Sequence, residues 1–452
     1  MLERDTLKEF LAAVDRLDAS FANLPPFEPA IPGRERIAEV LNQATDRLRD
    51  NYPYFHPLYA GQMLTPPHPV ARLAYALAMW INPNNHALDG GRASSAMEKE
   101  AVAELAAMFG WKNHLGHLCS GGTFANLEAL WVAGRVHPEK KIVASGQGHY
   151  THARISAVLQ LPFESIPGDR FGRMDLGALE QRVKRGDIGT VVVTMGATAT
   201  GAIDPLPGIL NLREKYGFRV HADAAYGGYF TLANNLSAPA RQAFDRLSEV
   251  DSLVIDPHKH GLQPYGCGCI LFRDPAAGQF YKHDSPYTYF SSGDLHLGEI
   301  SLECSRPGAT AVALWATQKL LPLAPGGEFA QGLAKSREAA QALHRALAND
   351  PRWIVGFEPE LDIVIYAPRD ANAQTISRRS REIFKEAASR GLHVALAELP
   401  ANFFADSAPE LKSEAGTITS LRSVLMKPEH ADWIPQILRI LTEAEDSTRR
   451  RL

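Results

Sequence analysis

The chain has 452 residues, which is too many for a single hydrophobic core, so we expect two or three domains. Hydrophobic residues make up 45% and charged residues 22% of the chain, which is typical of a globular protein and excludes a disordered one. A formal net charge of -4 gives no reason to expect nucleic acid or an anionic membrane as a partner.

The first residues and the cysteines predict a cytoplasmic location. Residues 1–10 carry acidic side chains early and lack the apolar core of a signal peptide. No stretch approaches the roughly 18 apolar residues of a membrane span. Four cysteines in so long a chain do not form a disulfide framework, which fits a reducing compartment. Cys267 and Cys269 alternate with glycine in a strand, so we expect both to be buried rather than to bind metal.

The first 50 residues are typical of amphipathic helices, interrupted by the proline-rich stretch 24–29. An arm of this kind, which we extend to residues 1–75, would cover little core by itself. It either packs on a partner subunit or forms a loosely attached extension, and the sequence does not separate the two.

From about residue 92 the pattern alternates between helix and strand. Ser95 and Glu98 have the spacing of a capping box, which predicts that a helix begins there. Helix-like stretches separate most of the apolar segments that follow, so we expect an α/β fold with a mostly parallel central sheet. Apolar strands are predicted at residues 141–145, 190–195, 218–222, 253–256 and 267–272.

The C-terminal third has a different pattern. Residues 306–321 predict a long helix, which Pro322 and the Pro-Gly-Gly at 325–327 bring to an end. Helices then mix with short strands at 361–367 and 420–426. We therefore predict a large domain at residues 76–325 and a smaller α+β domain at residues 326–452.

Two motifs follow predicted strands and carry reactive side chains. The sequence Asp-Pro-His-Lys-His-Gly at 256–261 places Lys259 where a buried strand ends. A lysine in that setting loses hydration, so its neutral amine becomes accessible and can form a Schiff base with an aldehyde. Asp223 ends another strand, and ligands collect at the carboxyl ends of such strands. Fold and chemistry therefore point to one site that contains both residues.

Further candidates lie at other strand ends. Ser-Gly-Gly-Thr at 120–123 precedes a helical pattern, and such a helix N-terminus can bind an anion. The segment 194–198 ends a strand with small and hydroxyl residues that could line a pocket. His149 follows a third strand and could stack on a flat cofactor. As an alternative, His149, His152 and His258 could form the zinc site of a hydrolase.

Taken together, these residues resemble the group II pyridoxal-phosphate-dependent decarboxylases, which include aromatic amino acid, glutamate and tyrosine decarboxylases. The related sphingosine-phosphate lyases share much of the pattern. The resemblance covers residues 56–428, nearly the whole chain. It depends on His-Ala-Asp-Ala-Ala-Tyr-Gly-Gly at 221–228 and Asp-Pro-His-Lys at 256–259, with His-Pro-Leu-Tyr-Ala-Gly-Gln-Met at 56–63 and Asn-Pro-Asn-Asn at 82–85.

The resemblance implies the aspartate aminotransferase fold type I and pyridoxal 5'-phosphate as the cofactor. Lys259 would bond the cofactor, Asp223 would face its ring nitrogen and His149 would stack on its ring, which makes these three the catalytic residues. Gly122 and Thr123, helped by His258, would hold the phosphate. The expected cofactor-binding residues are Gly121, Gly122, Thr123, His149, Thr198, Asp223, Ala225, His258 and Lys259.

The resemblance also implies a small-molecule amino acid substrate. Arg422 matches an arginine that contacts a substrate carboxylate in similar glutamate decarboxylases, although a surface salt bridge is its alternative. Gln62 and Thr65 fall at expected pocket positions, and Gln62 favours a polar or acidic amino acid over an aromatic one. Many relatives protonate the reaction intermediate with a loop tyrosine. Here the matching loop, 284–305, is short, and its only tyrosines, Tyr287 and Tyr289, lie at its start, before the expected position. His296 is a possible replacement donor.

We therefore expect a homodimeric enzyme that removes the α-carboxylate of an L-amino acid, with active sites at the subunit interface. A carbon-carbon lyase of the sphingosine-phosphate lyase type and a decarboxylation-dependent oxidative deaminase are the alternatives within the cofactor class. A catalytically silent homologue is a further alternative, against which the intact Lys259 and Asp223 argue.

Overall fold

The computed structural model describes residues 4–27, 33–282, 295–370, 372–409, 411 and 416–450. In these ranges the helices are α1 Arg4–Ala19, α2 Arg34–Leu48, α3 Pro69–Met79, α4 Leu88–Met108, α5 Gly122–Val136, α6 Thr151–Val158, α7 Leu176–Val183, α8 Leu206–Tyr216, α9 Ala238–Asp245, α10 Gly308–Leu320, α11 Glu328–Ala348, α12 Ala373–Ser389 and α13 His430–Arg449. The strands are β1 Leu115–Cys119, β2 Lys141–Ser145, β3 Phe163–Ile166, β4 Ile188–Thr194, β5 Arg219–Asp223, β6 Ser252–Ile255, β7 Gly268–Phe272, β8 Trp353–Val355, β9 Ile363–Pro368, β10 Ala395–Pro400 and β11 Thr417–Val424.

The first seven strands form the central sheet, in the order β1-β7-β6-β5-β4-β2-β3. Strand β7 is antiparallel to both of its neighbours, and the other adjacent pairs are parallel. The five strands predicted from apolar runs correspond to β2, β4, β5, β6 and β7. Every residue of β4, β6 and β7 is buried, which explains why their sequences are continuously apolar. The predicted α/β fold with a mostly parallel sheet is confirmed.

Two strands of the central sheet were not predicted, because they lie at its edges and carry polar residues. Strand β3 contains Glu164 and Ser165, and Glu164 is exposed enough to pair with Lys141 and Arg182. Strand β1 contains His117, which is buried and compensated by a 2.8 Å contact between its Nε2 and Glu128. In the sequence, each of these polar residues interrupts an apolar run, although in the folded chain a partner outside the strand compensates it.

The predicted capping box is wrong. Ser95 and Glu98 lie inside α4, which begins at Leu88 and has a non-helical residue at Gly91. The Glu98 carboxylate does not turn back to its own helix, because it accepts hydrogen bonds from Asn85 at 2.6 Å and from Arg306 at 2.6 Å. A capping motif and a buried ion pair use the same residue types, so spacing alone did not separate them.

Strands β8–β11 form a second, antiparallel sheet, the C-terminal sheet, in the order β10-β11-β9-β8. The predicted long helix corresponds to α10, and the helices α11, α12 and α13 follow it. The smaller α+β unit is therefore confirmed in kind. The domain boundaries at 75 and 325 stay a prediction.

The N-terminal arm contributes little to the core in the described residues. Helix α2 has no buried residue, and apolar side chains such as Leu41 and Leu48 are more than 60% exposed. None of the helices in the described ranges combines the length and apolar character needed to cross a bilayer.

The sheet order brings the candidate residues together. Strands β4, β5 and β6 are parallel neighbours, so their carboxyl ends lie at one edge of the central sheet. Thr194 and Asp223 end β4 and β5, and Asp256 follows β6 directly. The N-terminus of α5 faces the same edge, since Gly122 at its start lies against Asp256.

Candidate active site

One cavity of about 430 Å³ lies at this edge of the sheet. Its size is within the range of small-molecule and cofactor sites. All of the residues predicted to bind the cofactor line it, namely Gly121, Gly122, Thr123, His149, Thr198, Asp223, Ala225, His258 and Lys259. The structure therefore brings residues from five separate segments to one place, as the motifs required.

The glycines at the start of α5 form a close-packed wall of this cavity. Gly121 has a φ of +151°, a conformation that side chains disfavour, and a Cβ there would lie 3.2 Å from a ring carbon of His258. A Cβ on Gly122 would lie 2.7 Å from Oδ2 of Asp256. The first backbone N–H groups of a helix have no partner within the helix, so this wall can donate hydrogen bonds to an anion.

Asp223 is buried and remains ionised. Its Oδ2 lies 2.9 Å from Nε2 of His152, and its Oδ1 accepts a 3.2 Å hydrogen bond from the backbone N–H of Ala225. Burial acts to raise the pKa of Asp223, but the hydrogen bond from His152 and the nearby positive charge of Lys259 outweigh it and hold that pKa well below its usual value. A carboxylate of this kind can face a protonated ring nitrogen.

Lys259 is paired with Asp256 rather than free. Its Nζ lies 3.0 Å from Oδ2 of Asp256, and its side chain is 20% exposed. Burial favours the neutral amine, but the charges of Asp256 and Asp223 outweigh it and raise the pKa of Lys259 above its usual value. The expectation of an accessible neutral amine is therefore wrong for this state, because lost hydration is compensated by two carboxylates. The amine must first give up a proton to become a nucleophile.

Two histidines of the cavity are held by their Nδ1 atoms. His149 Nδ1 accepts from the backbone N–H of Thr151 at 3.3 Å. His258 Nδ1 lies 2.8 Å from the carbonyl oxygen of Cys267, which can only accept, so this Nδ1 carries the hydrogen. Burial lowers the pKa of both His149 and His258. A neutral His258 has a bare Nε2, and it must take up a proton there to donate to a phosphate.

The four residues predicted to contact the substrate do not line the cofactor cavity. Gln62 is exposed, and Thr65 lines a different cavity. His296 is buried, and its Nδ1 accepts a 3.1 Å hydrogen bond from the backbone N–H of Leu88, so its ring is used to fix the chain there. Arg422 is buried beside β9, outside the cavity lining, and its Nε has no hydrogen-bond partner among the described residues. Substrate contact by these four residues stays a prediction.

The loop tyrosines Tyr287 and Tyr289 lie outside the described residues. The zinc alternative finds no support, because no three His, Cys, Asp or Glu side chains in the described ranges are grouped to hold a metal ion. Of its proposed ligands, His152 is engaged with Asp223 and His258 with a backbone carbonyl.

Sequence reasoning missed two side chains that control the charges of the site. His152 fixes Asp223, and Asp256 fixes Lys259. Asp256 could have been found, because it lies in the same motif three residues before the lysine. His152 was considered only as a zinc ligand, and its contact with Asp223 could not be found because the two residues are 71 positions apart.

The cavity fits pyridoxal 5'-phosphate. The glycine wall suits its phosphate, the ionised Asp223 suits its ring nitrogen, and Lys259 offers an amine for its aldehyde. Two buried oxygens that line the cavity, Thr194 Oγ1 and Asp256 Oδ1, have no hydrogen-bond partner among the described residues, as expected where a polar group is to bind.

Comparison with known proteins gives a consistent result. A sequence model of the pyridoxal-dependent decarboxylase conserved domain matches residues 131–368. The chain is 29% identical to the L-tyrosine decarboxylase of Enterococcus faecium, over 70% of this chain and 68% of the relative. It is also 29% identical to the L-aspartate decarboxylase of Thermococcus kodakarensis, over 78% of this chain and 88% of the relative.

Among solved structures, the crystal structure of Oryza sativa TDC with PLP and tryptamine superposes with a TM-score of 0.80 at 16% identity, covering 99% of both chains. This likeness shows the fold alone. The family match covers more than half of the chain and agrees with the cavity described above. The chain therefore belongs to the pyridoxal-dependent decarboxylase family and is a carboxy-lyase that uses pyridoxal 5'-phosphate.

Proposed function

We propose that the chain removes the α-carboxylate of an L-amino acid and releases the amine and CO2, with Lys259, Asp223 and His149 as the catalytic residues. The observation that carries the proposal is that a lysine amine and an ionised carboxylate line one cavity whose wall is a glycine-built anion site. No structural feature of the described residues favours the lyase or the oxidative reaction over this one.

The cavity residues divide into those that would hold the phosphate and those that would hold the ring. Gly121, Gly122 and Thr123 would donate backbone and side-chain hydrogen bonds to the phosphate, with a protonated His258. His149 would lie against the ring, and Thr198 and Ala225 would contact its edges. When bound, pyridoxal phosphate supplies an aldehyde for an amine and a ring that takes up the electrons left as CO2 departs.

The charges of the chain prepare it for this chemistry. Asp223 stays ionised, so it can keep a proton on the ring nitrogen, where positive charge stabilises the electrons that the reaction releases. Asp256 holds the Lys259 ammonium at 3.0 Å when the amine carries no cofactor, which keeps that amine in the cavity. Asp223 and Asp256 are buried, and their charge interactions are therefore stronger than they would be in water.

We propose a polar or acidic amino acid as the substrate. Arg422 supports this view, because it is a buried cation whose Nε has no partner among the described residues and whose pKa is lowered by burial. The nearby carboxylate of Asp362 compensates that charge only in part, and a substrate carboxylate would add to the compensation. Gln62 would contribute a polar contact at the exposed rim. The relatives act on tyrosine and on aspartate by name, so the side-chain preference needs a direct test.

The test is to incubate the holoenzyme with each of the twenty amino acids and to measure CO2, amine, aldehyde and peroxide. We expect CO2 and amine in equal amounts from one polar or acidic amino acid, without aldehyde. The variant Lys259→Ala is the control and should give no product. Aldehyde with peroxide would replace the proposed reaction by the oxidative one, and no product from any amino acid would contradict it.

We further propose a homodimer in the cytoplasm, with the N-terminal arm covered by the second subunit and the active sites at the interface. The exposed apolar face of α2 supports the dimer, and four cysteines that are free in the structure are compatible with a reducing compartment. Leu41→Glu should shift the mass measured by light scattering toward the monomer. Leu320→Glu, which changes an exposed leucine outside the arm, should not. A dimer that survives Leu41→Glu unchanged would argue against the arm as the interface.

A further inference from the structure

Three buried polar side chains connect the central sheet to the C-terminal sheet directly behind the reactive lysine. Asp362 immediately precedes β9, and none of its surface is exposed. Tyr226 follows β5 by three residues, and His260 is the residue after Lys259. Both are 3% exposed. The chain thus brings together the residue that precedes β9 of the C-terminal sheet and one residue from each of two loops that carry cavity residues.

The carboxylate of Asp362 is bonded on both sides. Tyr226 donates its hydroxyl to Oδ1 at 2.6 Å, and Nε2 of His260 lies 2.8 Å from Oδ2. The other ring nitrogen of His260, Nδ1, lies 3.0 Å from the carbonyl oxygen of Tyr226. These three contacts close a ring of hydrogen bonds through the two loops and the C-terminal sheet.

Proton counting defines the state of this cluster. A carbonyl oxygen can only accept, so Nδ1 of His260 carries a hydrogen. The contact between Nε2 and the carboxylate then needs one more proton, which is held either by Nε2 or by Asp362. In both cases one proton lies between Nε2 of His260 and Oδ2 of Asp362, in addition to the hydrogen on Nδ1, and every contact of the pair is satisfied. Neither residue can leave the cluster without leaving a buried polar atom unpaired, which is costly.

The cluster is connected to the cofactor cavity at two points. Tyr226 lines the cavity, three residues after Asp223. His260 shares a peptide bond with Lys259, and its ring packs edge-on against Tyr226 at 4.6 Å and against Phe230 at 4.9 Å. A shift of Asp362 would therefore act on two segments, the one that carries the Lys259 amine and the one that carries Asp223.

We propose that Asp362 is a positioning residue for the reaction. Through its hydrogen bonds to Tyr226 and His260 it fixes the Lys259 turn, residues 256–261, and the Asp223 loop relative to each other and to the C-terminal sheet. This inference rests on the proposed role of Lys259 and adds to it a residue that touches neither substrate nor cofactor. Its carboxylate comes from the opposite sheet, so the reactive amine has its geometry set partly by the C-terminal unit.

The decisive variants are Asp362→Asn and Asp362→Leu. Asparagine can still accept from Tyr226 through its oxygen and donate through its amide to the bare Nε2 of a neutral His260, so it keeps the geometry while it changes the charge. Leucine has a similar volume and can form neither bond. Arg337→Met is the matched control, because Arg337 is also buried and joins the two units through two backbone oxygens, those of Asn235 and Glu360, neither of which lines the cavity. It leaves the Asp362 side chain and its two hydrogen bonds in place.

The measurement is the rate at which each apoenzyme forms its covalent link to added pyridoxal phosphate, followed by the visible absorption band, together with kcat, KM and the thermal unfolding midpoint. We expect Asp362→Leu to form the band roughly 10- to 100-fold more slowly and to lose kcat more than KM rises, since a misplaced reactive group has effects of that size. Asp362→Asn should stay within about threefold of the wild type by the same reasoning. Arg337→Met should lose thermal stability with a normal rate of band formation. If Asp362→Leu does not fold, Tyr226→Phe, which removes one hydroxyl, should show the same slowing to a smaller extent.

A normal rate of band formation in Asp362→Leu, or equal impairment of the Asn and Leu variants, would overturn the inference. Slowing in Arg337→Met that matches Asp362→Leu would also overturn it, because the effect would then follow from general loosening of the two units. If the wild type forms no band that depends on Lys259, the proposed role of the lysine fails first and the inference fails with it.

Discussion

Replacing Asp256 by asparagine tests how the free amine of Lys259 is held. The two side chains form an ion pair at 3.0 Å, and the pKa of Lys259 is raised mainly because that pair and Asp223 outweigh the effect of burial. Two unit charges at this separation attract by about 5 kcal/mol at an effective dielectric constant of 20. Lys259 is partly exposed, so solvent weakens this attraction. Losing even a third of the attraction energy in Asp256→Asn would still lower the pKa of Lys259 by about one unit.

The assay is acylation of the apoenzyme across a pH series, with the modification of Lys259 quantified by mass spectrometry. We expect the pH of half-maximal reactivity to fall by at least about one unit in Asp256→Asn. Lys319, which pairs with Glu104 at 2.9 Å, serves as the reference in the same sample and should not change. An unaltered pH profile at Lys259 would refute the reasoning, since the nearest carboxylate would then have no influence on the amine.

Three further predictions concern the ring partner, the glycine wall and acid stability. Asp223→Ala should lower kcat by roughly 100-fold or more while the protein still binds the cofactor, and near-normal turnover would refute its role. Gly122→Ala should weaken cofactor affinity about tenfold, measured by titration of the apoenzyme, because its Cβ would meet Asp256 at 2.7 Å; unchanged affinity would refute the close approach. Burial lowers the pKa of His430 from 6.5 to about 4, so the unfolded chain binds a proton that the folded chain does not. The free energy of unfolding, measured by denaturant titration, should therefore fall by roughly 3 kcal/mol through this group as the pH drops from 6.5 to 4. His430→Gln should lose that part of the pH dependence. A free energy of unfolding that falls with pH as steeply in His430→Gln as in the wild type would contradict this.

The central sheet was predictable where burial made the sequence uniform. Strands such as β4 and β6 are buried along their whole length, and their apolar runs have no other explanation. The edge strands β1 and β3 were not predictable, because His117 and Glu164 are compensated by partners that are distant in sequence. The same ambiguity produced the error at Glu98, whose carboxylate pairs with Arg306 across 208 residues.

The cofactor cavity was predictable because its residues lie in short motifs at strand ends. Gly122, His149, Asp223 and Lys259 each follow or precede an element that the pattern reveals. The charge state of the site was not predictable in the same way. Whether a buried lysine is neutral depends on the distance to Asp256, and local sequence gives no such distance. The contact of His260 with Asp362 spans 102 residues and could be seen only in three dimensions.

Borohydride reduction of the holoenzyme, followed by peptide mapping, tests the central claim most directly. We expect that one lysine, Lys259, carries the cofactor after reduction and that Lys259→Ala carries none. Cofactor attached to another lysine, or a protein that stays unlabelled in excess pyridoxal phosphate, would contradict it.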